Sequence, residues 1–321
     1  MKLGVLTSLY KYKRLEYVLG HLSDLGVQAV ELGTGGYPES NYIDIDRLLN
    51  DDMETAGLKN LLRIHKMEIS ALSCHGNPVH PQKEIAERYH QDYIKTVLLA
   101  EKLNINSVIT FSGCPGDSSD SKHPNWVTCP WPDEYMDVLD YQWNNVLIPY
   151  WEQAAKFAED HGVEKIAIEM HPGFCVYNPE TLLKLRSAIG NTIGANFDPS
   201  HLFWQGINPV NAIRKLNSAI YYVHAKDTRI DEINTAVNGV LDTKHYSDEI
   251  NRSWIFRTVG YGHDISVWKD IVSNLLMVGY DGVLSIEHED SLLTVDEGLE
   301  KAIAFLKQAI AYEGKGKMCW V

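Results

Sequence analysis

The chain has little of what marks secreted, membrane or nucleic-acid-binding proteins. Its five cysteines (Cys74, Cys114, Cys129, Cys175 and Cys319) are odd in number and form no CxxC pair. A disulfide framework is therefore excluded as the organising principle, and reduced thiols are expected. Basic residues are scarce: 29 Lys and Arg stand against 43 Asp and Glu, a formal net charge of −14, and no Lys/Arg cluster interrupts the excess. Such a surface repels a phosphate backbone, so nucleic acid is not an expected partner. No apolar run approaches the roughly 20 residues that span a bilayer. The opening run, Met1 to Thr7, is too short for a signal-peptide core. A cytoplasmic, membrane-free protein is the expectation.

What is present is a large apolar fraction, 45% of the 321 residues, spread through the chain without a compositional break. A single domain over residues 1–321 is expected. Short apolar runs recur at Leu3–Leu6, Ala29–Leu32, Ile69–Ser73, Ser107–Phe111, Lys165–Glu169, Thr192–Phe197, Ile220–His224 and Gly282–Glu287. Their near-continuous hydrophobicity suits parallel strands covered by helices. Helical spacing lies between them, as in Leu15, Val18, Leu19, Leu22 and Leu25, and in Leu299, Ile303, Leu306 and Ile310. Asn178-Pro179 reads as a cap with a first-turn proline, and Gly190 as the stop of that helix. Eight strand–helix repeats, with no glycine-rich dinucleotide turn after the first strand, predict a (β/α)8 TIM barrel of the α/β class. Two long segments break the rhythm: Ser112–Pro132 after strand four and Asp227–His263 after the seventh run. Both follow strands, so both are expected on the catalytic face, covering the site and forming much of the substrate pocket.

The late strands end on chemistry. Glu169, Asp198, His224 and Glu287 close the fifth to eighth runs and project at one rim. Any one of them could be a cap or half of an ion pair. Three carboxylates and an imidazole in register on consecutive strands would repel one another if empty. One divalent cation resolves that repulsion, and the oxygen–imidazole set suits manganese first, with magnesium, cobalt, iron or zinc as alternatives.

On these residues the chain resembles the sugar phosphate isomerase/epimerase family with its xylose-isomerase-like barrel. The pieces that carry the likeness are Glu169-x-His171, Asp198-Pro199-Ser200-His201, His224-Ala225-Lys226-Asp227 and Ser285-Ile286-Glu287. The resemblance implies a Glu-Asp-His-Glu metal site and proton transfer beside the carbonyl of a keto sugar, that is, an isomerase or epimerase. A base is needed near the metal but not consumed by it. His171 fits if the chain curls at Pro172-Gly173; the bland alternative is a loop histidine bonded to backbone. Glu169 and Glu287 could themselves be the acid and base, as keto-sugar epimerases imply. His201 resembles a family histidine that binds substrate or supports the metal shell. Glu31 and His75, at the ends of strands two and three, are expected to face substrate. Lys226 and Arg229 are expected to bind sugar hydroxyls or a phosphate, or to balance acidic neighbours. Trp126, Trp131 and Trp254 either stack on substrate or pack beneath the long loops.

Two other readings stay open. The chain is also similar to the larger subunit of bacterial C-glycoside deglycosidases, lyases that release an aglycone from a 3-oxo sugar and work with a small β subunit. That likeness implies a hetero-oligomer, where the first reading allows a homo-oligomer; in both the partner is a small carbohydrate. A sugar-binding sensor on a barrel scaffold is the non-enzyme alternative, and the intact ligand set weighs against it.

Overall fold

A computed structural model describes residues 1–10, 12–37, 43–313 and 316–320. Eight parallel strands close into a barrel: β1 (Lys2–Leu6), β2 (Ala29–Gly36), β3 (Glu68–His75), β4 (Ser107–Phe111), β5 (Lys165–Glu169), β6 (Ile193–Phe197), β7 (Ile220–Ala225) and β10 (Val283–Ile286). The remaining two, β8 (Asp227–Ile230) and β9 (Trp254–Arg257), form a separate antiparallel hairpin inserted between β7 and β10. The expected (β/α)8 barrel is what the chain forms, and the eight apolar runs are its strands.

The packing follows the sequence pattern. Ala29, Ala71, Ile109, Ala167, Tyr222 and Val283 form a compact cluster of their own, separate from the main core, where small alanines make room for the tyrosine ring. The main core lies between strands and helices, and Val18, Leu19 and Leu22 enter it from the first long helix, Leu15–Asp24. Asn178 caps the helix Pro179–Ile189 as expected, accepting from the Thr181 amide in a capping box, and Gly190 ends it at φ 130°. No helix among the described residues is long and apolar enough to cross a membrane.

Parallel register decides which strand ends sit side by side. Glu169 on β5 is level with Asn196 on β6, and His224 on β7 is level with Ser285 on β10. Asp198 and Glu287 follow immediately after β6 and β10, so the four sites of the late strands stand on one rim.

The two long segments leave from that same rim and differ in what they touch. Phe256 on β9 meets the His201 ring (centroids 5.4 Å apart), and Lys226 Nζ lies 4.7 Å from the Phe256 centroid. The hairpin is thus a wall of the site. Ser112–Pro132 packs instead on the chain after β5: Gly113 O accepts from Cys175 N, Ser112 Oγ accepts from Val176 N, and Trp126 meets the Tyr177 ring at 5.5 Å. It buttresses the loop that carries His171.

Asp227 holds the second segment in place. Fully buried, its Oδ2 accepts from the amides of Gly260, Gly262 and His263 at 3.0–3.2 Å, and its Oδ1 accepts from His263 Nδ1 at 2.7 Å. Glycine is required at this turn: Gly260 has φ +92°, and a Cβ on Gly262 would lie 2.3 Å from Thr228 O. Asp227→Ala would leave these partly buried donors without their carboxylate and is expected to cost about 1–3 kcal/mol. Urea unfolding measures this; a loss under about 1 kcal/mol would mean that the turn is held by other contacts.

Candidate metal centre

The donor atoms of Glu169, Asp198, His224 and Glu287 all lie within 4.8 Å of one another. His224 Nδ1 is 3.3 Å from Glu169 Oε2 and 3.1 Å from Glu287 Oε2. Glu169 and Asp198 are almost fully buried, and His224 completely so.

Hydrogen bonding fixes how each group faces this point. Glu169 accepts from His75 Nε2 and Asn196 Nδ2 on Oε2 (both 3.0 Å) and from His201 Nε2 on Oε1 (3.1 Å). Burial opposes its charge, but the bonds from His201, His224 and His75 hold its pKa well below the usual carboxylate range. Asp198 uses Oδ1 to cap the short helix Pro199–Phe203 through Ser200 N, which turns Oδ2 inward. His224 has one nitrogen for each side: Nε2 meets Glu31 at 2.9 Å, and Nδ1 looks into the cluster. A carboxylate can only accept, so Nε2 carries hydrogen.

The residues fit a divalent cation. Asp198 Oδ2 and Glu287 Oε2 are buried without a hydrogen bond. Lys226 Nζ lies 3.2 and 2.8 Å from them, close enough for an ion pair but without hydrogen-bond geometry. Burial, aided by Glu169 and Glu287 and opposed by Lys226, pushes Asp198 up to about 7. Burial also opposes a charge on His224, yet Glu31, Glu287 and Glu169 outweigh it and hold its pKa well above the ordinary value. A cation at Nδ1 would take the place of that proton. The oxygen-rich donors with one imidazole suit manganese, magnesium, iron, cobalt or zinc.

His171 stands beside the quartet. Its Nδ1 donates to Pro172 O at 2.6 Å, so the ring is bonded to backbone, and that bond leaves Nε2 with the lone pair. The chain does curl at Pro172-Gly173, with Gly173 at φ +98°. Its ring packs against His201 (centroids 4.1 Å), Phe111 and Phe174. Burial lowers the pKa of His171, and burial takes His201 down to about 3, so both are neutral at pH 7. Glu169, His171 and His201 also bring three donor atoms within 4.8 Å, sharing Glu169 with the quartet. A cavity of about 380 Å³ opens here, lined by His171, Tyr246, Ile255, Phe256, Glu289 and Ser291. A larger cavity, about 560 Å³, lies on the flank between the helices Lys83–Leu103 and Ile148–Asp160, and His171 does not line it.

Several residues expected at the substrate have other placements. Glu31 lies behind His224, fully buried, with its oxygens taken by His224 and Ser285. His75 donates to Glu169. Lys226 is buried among Asp198, Glu287 and Glu289, the last at 3.0 Å, so it balances acids. Arg229 is exposed on β8, opposite Ile255. Trp254 stacks on Trp204 at 4.6 Å and is packing; Trp131 is 74% exposed. The sequence assigned no role to Asn196, nor to Asp227 beyond its place in the motif after His224. Asn196 Nδ2 bridges Glu169 and His224, and the one available signal was its place two residues before Asp198 on an apolar strand.

The model of the xylose isomerase-like TIM barrel matches residues 19–309. The chain belongs to this family. It is 40% identical over 313 residues to the uncharacterized protein YfiH of Bacillus subtilis (strain 168), covering 97% of this chain and 100% of that one. Among solved structures, the barrel is similar to the IOLI protein with a binding zinc atom (TM-score 0.65, 18% identity, 97% of this chain and 98% of that one). It is also similar to a D-psicose 3-epimerase in the presence of D-fructose (TM-score 0.62, 14% identity, 97% and 99%). At these identities the two structures speak for the fold.

Proposed function

We propose that this family member is a divalent-metal-dependent enzyme that moves a proton on the carbon beside the carbonyl of a keto sugar, as an isomerase or epimerase. The observation that carries the proposal is the convergence of Glu169, Asp198, His224 and Glu287 on one point next to a neutral imidazole. When bound, a divalent cation polarises a substrate carbonyl or hydroxyl oxygen and makes the neighbouring C–H acidic. The chain does the rest. Pro172 O holds the His171 Nδ1–H, so Nε2 is the atom that receives the proton. His201 fixes Glu169 from the same side. Phe256 and Ile255 of the hairpin line the pocket with apolar surface. Two likenesses, a barrel with a binding zinc atom and a D-psicose 3-epimerase in the presence of D-fructose, favour this reading; zinc, from the first, and manganese, from the donor set, are the first metals to load.

The test is incubation of the metal-loaded protein with a panel of ketoses and 3-oxo-glycosides in deuterated water. The expected product is a changed sugar carrying deuterium at the carbon next to the carbonyl. Release of free aglycone would instead identify a lyase of the deglycosidase kind. With substrate labelled at the carbon next to the carbonyl, label that moves within the sugar with no loss to water would count against the proton-transfer reading, and the rate of His171→Gln would then separate a hydride shift from a shielded base.

A further inference from the structure

Glu31 is a carboxylate in the barrel interior with no lysine or arginine paired to it among the described residues, a costly arrangement. An apolar side chain would fill the same space without that cost. Its contacts are specific. Oε2 accepts from His224 Nε2 at 2.9 Å and from Ser285 Oγ at 2.9 Å, while Oε1 lies 3.2 Å from the same ring nitrogen. The three residues come from β2, β7 and β10, so the closed barrel alone brings them together. On the other side of the imidazole, Nδ1 faces Glu287 Oε2 at 3.1 Å and Glu169 Oε2 at 3.3 Å, with Asn196 Nδ2 at 3.1 Å, so this is the nitrogen turned toward the cluster. Glu31 thus fixes the ring orientation and reserves a hydrogen for Nε2.

We propose that Glu31 is a positioning residue for the metal centre. It locks His224 with hydrogen on Nε2, aims the Nδ1 lone pair at the Glu169–Asp198–Glu287 cluster, and makes that nitrogen a stronger donor; Ser285 holds Glu31 in place. The inference rests on the metal reading of the quartet. Hydrogen-bonded carboxylates behind ligating histidines have this effect generally.

The experiment titrates Zn²⁺ into metal-free wild type, Glu31→Gln and Ser285→Ala, competing against a fluorescent chelator. The nitrogen shifts of the His224 ring are read by NMR in the zinc-loaded proteins. Glu31→Gln is expected to weaken zinc binding by about 10- to 100-fold and to shift the His224 Nε2–H signal; Ser285→Ala is expected to weaken it less, in the same direction. A folded Glu31→Gln protein with wild-type affinity and an unmoved His224 signal overturns the proposal. Should Glu31→Gln fail to fold, Ser285→Ala decides: weaker binding supports the role, and unchanged binding overturns it. Wild type that binds no zinc, manganese or cobalt would overturn the metal reading itself, and this inference with it.

Discussion

Removing the divalent cation with a chelator is expected to abolish turnover while the circular dichroism spectrum of the barrel stays the same. Several kilocalories of charge stabilisation at the reacting oxygen correspond to a loss of at least about 10³-fold in rate. The fold survives because its main core is a continuous apolar layer between strands and helices to which the quartet contributes nothing. Glu287→Gln should act in the same direction through metal content. It removes one negative charge from the cluster, the one whose oxygen lies nearest Lys226 Nζ, at 2.8 Å. Metal analysis of the purified variant, beside its rate at saturating metal, separates lost binding from lost chemistry. Full turnover by the stripped protein would refute metal dependence. Global unfolding on chelation would refute the claim that the core stands alone.

His171→Gln is expected to slow C–H exchange by about 10²-fold or more, since a positioned general base contributes about 10²–10⁴. Its metal content should not change, because His171 is outside the quartet. The geometry behind the expectation is local. The Nδ1–H is spent on Pro172 O, burial keeps the ring neutral, and the ring lines the cavity beside Phe256 and Tyr246. Glutamine keeps similar bulk and polarity but accepts no proton at neutral pH. Turnover without solvent deuterium would leave a shielded base in place, so the rate of the variant is the deciding number. Normal turnover by His171→Gln would pass the role to Glu169 and Glu287, which the sequence resemblance already implies as acid and base.

The quartet is legible in the sequence because a parallel strand that ends on a polar ligand at the carboxyl rim declares its position. Glu169, Asp198, His224 and Glu287 needed no more than strand ends and barrel register. Lys226 was visible as a cation in the motif after His224, but its burial among three carboxylates was not, since Glu289 comes from a distant stretch of chain. Glu31 illustrates the limit most clearly. A glutamate on β2 near the rim reads as a substrate contact, and only the curvature of the closed barrel turns its carboxylate onto Nε2 of a histidine 193 residues away. Asp227 is similar: its partners at Gly260, Gly262 and His263 follow it by more than 30 residues, across a hairpin whose pairing the pattern did not reveal.

By itself the sequence determined the barrel, its eight strands, the helix with the Asn178 cap and the four groups at one rim. These depend on hydrophobic period, capping chemistry and strand-end position, all properties of neighbouring residues. The tertiary structure decided the rest: which nitrogen of His224 faces the cluster, that Glu31 stands behind it, that β8 and β9 wall the pocket while Ser112–Pro132 supports the His171 loop. Those depend on distances between groups far apart in the chain, which local patterns do not encode and which closing the sheet sets.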